Sequence, residues 1–175
     1  MHDDWLTLLD ARVPRYTSYP TAPHFHTGIG AARYQQWLQQ ARFKKPASLY
    51  IHVPYCHQLC WYCGCNTSVT KTDEPVARYA AALINNIETT ALLLPARPLI
   101  GHLHFGGGSP NRLTVGQFEQ IMATLRTRFD FVDGAELAVE IDPRFITDEQ
   151  IKSYREAGIN RISIGVQDFD PKVQM

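Results

Sequence analysis

The sequence predicts an α/β fold built from parallel strands. From Ser48 onward short apolar runs alternate with stretches of helical periodicity, the helical stretches open on capping residues, and one long connection, Pro54 to Glu74, holds every cysteine. Alternation of this kind is the pattern of repeated βα units. Strands joined through helices run parallel with right-handed crossovers, and ligands gather at the C-terminal strand ends where the βα loops emerge.

Residues 1–46 read as an arm followed by one helix. Arg15-Tyr16-Thr17-Ser18-Tyr19-Pro20-Thr21-Ala22-Pro23 has two prolines and few periodic apolar positions, and a helix is expected near 31–41. The core, 47–175, opens with a strand at Ser48–Val53, and further strands are expected at Leu99–Phe105, Glu136–Ile141 and Arg161–Val166. Between the first two, Val76, Tyr79, Ala80, Leu83, Ile84 and Ile87 recur at helical spacing, with Asp73 as N-cap before Pro75. Thr114 with Gln117, and Thr147 with Gln150, are capping boxes that start two more helices. The first of these presents Phe118, Ile121, Met122 and Leu125 on one side, and the second stops at Gly158.

With 175 residues, 45% hydrophobic and 19% charged, the chain can bury one sizeable core. Seventeen basic side chains balance seventeen acidic ones, so there is no net positive field to collect nucleic acid or anionic lipid. The N-terminus lacks the charged and apolar regions of a secretion signal, and the longest apolar stretch, around Leu92–Ile100, is broken by Pro95, Arg97 and Pro98. A soluble, cytoplasmic protein is expected.

Cys56, Cys60, Cys63 and Cys65 crowd into ten residues, whereas a disulfide framework would scatter its cysteines to staple distant segments. The crowding points to a metal site in a reducing compartment. Cys56-His57-Gln58-Leu59-Cys60-Trp61-Tyr62-Cys63 is a C-x₃-C-x₂-C run, a tight thiolate spacing of the sort that holds iron–sulfur clusters. Three ligands would leave one iron open, as catalytic metal sites require. A closed, non-catalytic module ligated by all four cysteines stays open as an alternative, as does zinc, for which this spacing is poor. At the next strand end, His104-Phe105-Gly106-Gly107-Gly108-Ser109-Pro110 allows close backbone approach to a ligand, or forms a tight turn alone. Glu140 ends the third strand, and Gln167 follows the fourth.

Tyr50-Ile51-His52-Val53-Pro54-Tyr55-Cys56 and the C-x₃-C-x₂-C loop together resemble the radical S-adenosylmethionine superfamily. The Cys63-Gly64-Cys65-Asn66 continuation, the Pro14–Ala22 arm and Gly165-Val166-Gln167-Asp168-Phe169 are similar to its oxygen-independent coproporphyrinogen III oxidases, or coproporphyrinogen dehydrogenases. Related haem-binding chaperones on the same scaffold usually lack the arm and carry an acidic residue in place of Gly64.

The resemblance implies a partial, TIM-like (β/α) barrel whose C-terminal part is missing, since only four core strands precede Met175 and the resembled barrel has six. It implies Cys56, Cys60 and Cys63 as ligands of a [4Fe–4S] cluster whose open iron chelates S-adenosylmethionine for radical chemistry. Two molecules of S-adenosylmethionine are implied. Tyr50, Gly107 and Glu140 match contacts to the cluster-bound one, and Tyr62, Gly108, Ser109 and Gln167 match contacts to the second. The implied substrate is coproporphyrinogen III, decarboxylated oxidatively at two propionates to give protoporphyrinogen IX, with an electron donor such as flavodoxin or ferredoxin. The full-length protein is expected to be a monomer, and this chain alone to hold the cluster without turning over. His52 reads as a core histidine, a hydrogen-bond donor beside the cluster or part of the substrate's surroundings. Arg15, Tyr16 and Tyr19 suit a cover over the substrate, with Arg15 matched to a propionate. Cys65 is left outside the ligand set, and His24, His26 and His57 have no assigned role.

Overall fold

In the computed structural model of the chain, residues 21–61, 63–166 and 168–174 are described. Spatial contacts divide the chain between Gln36 and Trp37, within helix α1 (Ala31–Gln39). A short 3₁₀ turn at Ala22–His24 precedes that helix.

The second unit begins with β1 (Ala47–Val53), followed by the two-residue strands β2 (Tyr55–Cys56) and β3 (Ser68–Val69) and helix α2 (Glu74–Leu93). Strand β4 (Leu99–Gly107) leads through a 3₁₀ turn at Pro110–Arg112 to α3 (Val115–Arg128). Then come β5 (Asp130–Ile141), α4 (Asp148–Glu156), β6 (Arg161–Ile164) and the short α5 (Pro171–Gln174). The main sheet has the order β1-β4-β5-β6, and every pair in it is parallel.

Side-chain alternation sorts this sheet into two unlike faces. Leu49, Ile51, Val53, Leu103, Phe105, Leu137 and Val139 point into one apolar core together with Val76, Ala80 and Ile87 of α2 and Phe118, Ile121, Met122 and Leu125 of α3. Phe118 lies at its centre, 5.3 Å from the Phe105 ring and 4.6 Å from Tyr154 of α4. Burying each such side chain contributes about 1.5–3 kcal/mol. The residues that alternate with these, Tyr50 and His52 on β1, His104 on β4 and Glu140 on β5, belong to the opposite, polar face. Helices on one face and polar groups on the other describe a sector of a (β/α) barrel; a doubly wound sheet would bury both faces under helices.

Both capping boxes form. Thr114 Oγ1 accepts from the Gln117 amide at 3.2 Å while Gln117 Oε1 accepts from the Thr114 amide at 2.9 Å. Thr147 and Gln150 repeat the arrangement at 3.2 Å in each direction. Gly158, at φ +86°, turns the chain after α4. Asp73 departs from expectation. It occupies the N-cap of α2 without a side-chain cap, because its carboxylate accepts from Arg112 at 3.1 Å instead. Strand β5 also starts six residues before the expected Glu136, through a register irregularity opposite Ile100–His102 with Gly134 at φ +73°. Among the described residues no helix is long and apolar enough to cross a membrane.

Candidate functional site

The loop between β1 and α2 is closed at its base by β2 and β3. Tyr55 pairs with Ser68 and Cys56 with Val69, and the Ser68 amide donates to the Pro54 carbonyl at 2.9 Å. The sequence Cys56 to Cys65 is thereby looped out just beyond the C-terminal end of β1. All four thiols are free; Cys56, Cys60 and Cys63 are half-buried and Cys65 is exposed. The Cys56 sulfur faces two hydroxyls, Thr67 Oγ1 at 3.2 Å and Ser109 Oγ at 3.6 Å. Ser109 is itself only 6% exposed.

The triple glycine runs against this loop. The Gly108 amide donates to the Val53 carbonyl and the Ser109 amide to the Tyr55 carbonyl, both at 2.8 Å. Gly107 has φ +109°, and a Cβ there would lie 2.7 Å from the His52 ring. A Cβ on Gly106 would lie 3.0 Å from the Glu140 carboxylate and 3.0 Å from the Tyr50 ring. Glycine is therefore favoured at 107 by its conformation, and at both positions a side chain would have to push its neighbours aside.

On the polar face, Glu140 is held from two sides. His104 Nε2 donates to Oε1 at 3.1 Å, and the Gly107 amide donates to Oε2 at 3.3 Å. Tyr50 stacks on His104 with ring centroids 5.8 Å apart and 17° between planes. His52 Nε2 lies 2.8 Å from the Asn66 carbonyl, which can only accept, so that nitrogen carries the proton and Nδ1 accepts from the Tyr50 hydroxyl at 3.2 Å. Tyr79 donates to the His52 carbonyl, and burial pushes its phenol up to about 12, which keeps that donor protonated. Desolvation raises Tyr50 as well, with Glu140 and Cys65 adding to the effect. Cys65 is raised by desolvation of its sulfur first, although the residue as a whole is exposed, then by Cys63, Glu140 and Cys56.

Tyr50, His52, Cys56, Gly107, Gly108, Ser109 and Glu140 are thus brought together at one strand end, with Cys60 and Cys63 on the same loop. Tyr62, Gln167, Arg15, Tyr16 and Tyr19 lie outside the described residues. Three contributors carry no role in the sequence reading: His104, Thr67 and Asn111. His104 was within reach, since alternation along β4 puts it on the face of Tyr50 and Glu140. Asn111 was not, because its partners are backbone atoms 31 residues away. It is 3% exposed; its amide donates to the Asp142 carbonyl at 3.1 Å and its Oδ1 accepts from the Asp142 amide at 3.0 Å. Asn111→Ala strands both groups and should destabilise by about 1–3 kcal/mol, lowering Tm by roughly 2–4 °C for each kcal/mol. An unchanged melting curve would count against the bracket.

Among the described residues no three His, Cys, Asp or Glu side chains are grouped to hold a single metal ion. A cluster asks for something different, thiolates that each reach a separate iron, with hydrogen bonds to sulfur to set its potential. Free cysteines on one projecting loop, hydroxyls at the Cys56 sulfur and a glycine cradle beside it fit that demand.

The model of the Radical SAM superfamily matches residues 50–175. The chain belongs to the radical SAM superfamily. Membership implies a [4Fe–4S] cluster and S-adenosylmethionine. Among curated relatives, the oxygen-independent coproporphyrinogen III oxidase of Bradyrhizobium diazoefficiens is 46% identical over 165 residues, covering 94% of this chain and 37% of the relative. That of Escherichia coli is 43% identical over 162 residues, covering 92% of this chain and 35% of the relative. Among solved structures, coproporphyrinogen III oxidase (HemN) from Escherichia coli, a radical SAM enzyme, superposes with a TM-score of 0.83 at 40% identity over 97% of this chain and 38% of that one. The chain therefore spans under two-fifths of the length of these relatives, and its parallel sheet is the matching part of a radical SAM barrel.

Proposed function

We propose that this chain carries the cluster-binding and cofactor-binding part of an oxygen-independent coproporphyrinogen III oxidase. The observation that carries the reading is the convergence of Tyr50, the Gly106–Ser109 loop and Glu140 beside the cysteine loop, in a chain 46% identical to such an oxidase. Cys56, Cys60 and Cys63 would hold the [4Fe–4S] cluster, which supplies the electron that cleaves S-adenosylmethionine and so makes hydrogen abstraction from an unactivated carbon possible.

The chain's own groups bind and orient. Glu140, fixed by His104 and the Gly107 amide, offers acceptors to the hydroxyls or amine of S-adenosylmethionine, and Tyr50 lies alongside. A second molecule would take Tyr62, Gly108, Ser109 and Gln167. Holding substrate to within a fraction of an ångström matters here, because misplacement by about 1 Å can cost on the order of 100-fold in rate. The substrate is coproporphyrinogen III, with flavodoxin or ferredoxin as electron source, in a cytoplasmic monomer. On this reading the sequence divides into an N-terminal segment, 1–46, and a core, 47–175, and the Pro14–Ala22 sequence motif favours the oxidase over the haem-binding chaperone.

The test has two stages. Anaerobic addition of S-adenosylmethionine to the reduced, reconstituted protein should alter its paramagnetic resonance spectrum, since the open iron gains nitrogen and oxygen ligands; an unchanged spectrum counts against the cofactor reading. A chimera in which this chain replaces the matching part of the Escherichia coli enzyme should convert coproporphyrinogen III anaerobically. Stoichiometric haem binding without conversion would favour the chaperone.

A further inference from the structure

The loop after β5 carries a group that the proposed chemistry leaves unused. Arg144 donates to Asp142 at two points, Nε to Oδ1 at 2.9 Å and Nη2 to Oδ2 at 2.7 Å, and its amide donates to Oδ1 at 3.2 Å. The Asp142 backbone is in turn fixed by Asn111. The guanidinium lies 5.3 Å from the centroid of the Phe145 ring. That ring stacks on His57, with centroids 4.3 Å apart and 28° between planes. His57 directly follows Cys56 in the cysteine loop. A bidentate pair, a cation–π seat and an aromatic stack therefore hold one positive charge beside the cysteine loop.

We propose that Arg144 is a positioning residue that eases reduction of the cluster, its guanidinium aimed at the cysteine loop by Asp142 and by the Phe145–His57 stack. This rests on the reading of Cys56, Cys60 and Cys63 as cluster ligands. Reduction adds one electron from an external one-electron reductant, makes no bond and lowers the total charge of the cluster by one. A fixed cation stabilises the more negative state, and charge near a cluster is one of the levers on its potential. Asp142 offsets part of that field, and Arg144 is half exposed, so water screens more of it. The net effect is modest, about threefold in the ratio of reduced to oxidised cluster at a fixed potential.

The two members of the pair must act with opposite sign. Arg144→Gln removes the cation and should lower the ratio of reduced to oxidised cluster about threefold at the wild-type midpoint, whereas Asp142→Asn removes the opposing charge and should raise it. Arg144→Lys keeps the charge and should recover most of the wild-type ratio. The measurement is a potentiometric titration with dithionite, followed by paramagnetic resonance, on reconstituted protein whose iron and sulfide have been assayed. Wild-type protein without iron or sulfide would overturn the ligand reading itself. Full iron loading with no shift in Arg144→Gln, or shifts of the same sign in Arg144→Gln and Asp142→Asn, would overturn the role of Arg144. If Arg144→Gln fails to fold, Asp142→Asn decides alone: a rise in the reduced fraction supports the proposal and a fall or no change overturns it.

Discussion

Gly108→Ala should strip most of the iron from the reconstituted protein, although it adds only one methyl group. The new Cβ would stand 2.5 Å from Thr67 Oγ1, 2.7 Å from the Tyr55 carbonyl oxygen and 3.0 Å from the Cys56 sulfur. The threonine can rotate, but the Tyr55 carbonyl belongs to backbone that is tied into the β2–β3 ladder and accepts from the Ser109 amide at 2.8 Å. Nor can the glycine loop retreat freely, since the Gly108 amide is bonded to the Val53 carbonyl. Relief must come from moving Cys56. Overpacking of this kind costs about 1–3 kcal/mol, and here the strain is delivered to a proposed ligand. Gly116→Ala in α3 is the built-in control, because nothing lies within 4 Å of its added Cβ. It should leave iron content unchanged and gain about 0.5–1 kcal/mol of stability from the helical preference of alanine. Full iron retention in Gly108→Ala would show that the two loops are not in the contact described.

The contrast between these glycines also marks how far the sequence could be read. Local rules reached the elements whose causes are local. Thr114 with Gln117 and Thr147 with Gln150 cap helices because a hydroxyl and an amide three residues apart satisfy each other without help from the rest of the chain. The apolar spacing of Phe118, Ile121, Met122 and Leu125 names a buried face for the same reason. Asp73 shows the limit. Its sequence context marks an N-cap, yet a carboxylate beside a buried guanidinium 39 residues away has a better partner, and Arg112 takes it. Strands β2 and β3 are two residues each, too short for any period to register, although they close the base of the cysteine loop.

The site divides along the same line. The cysteine spacing and the triple glycine are contiguous in sequence, so their chemistry is visible there, and the family resemblance named Tyr50 and Glu140. What positions them is scattered. His104 reaches Glu140 across 36 residues, and Thr67 reaches the Cys56 sulfur across 11. Phe145 stacks on His57, a residue whose neighbours in the chain give no hint of a partner 88 residues away. Parallel strands bring such groups together through register, which emerges only once the sheet is assembled.

Cys60→Ala should abolish cluster binding, and Cys65→Ser should leave it in place with about four irons per chain. The two thiols lie five residues apart on one loop, both free, so composition does not distinguish them. Their roles separate on what the chemistry needs. An iron that is to chelate the amine and carboxylate of S-adenosylmethionine must have no fourth thiolate, so one cysteine must be spared. Cys63 and Cys65 are divided by Gly64 alone, and after desolvation Cys63 is the neighbour that raises the Cys65 thiol most. Two cysteines this close in the chain suit a ligand and a neighbour better than two separate corners of one cube. Cys60 is half-buried and, with Cys56 and Cys63, completes the C-x₃-C-x₂-C set; Cys65 is the exposed member. Serine keeps the size and a hydrogen-bonding group beside Cys63, so Cys65→Ser disturbs the loop little. Iron and sulfide assays, with the absorption spectrum after anaerobic reconstitution, read the result. A Cys65→Ser protein as empty as Cys60→Ala would mean that all four cysteines close the cluster, and the chain would then be an electron-carrying or structural module with no iron left for S-adenosylmethionine.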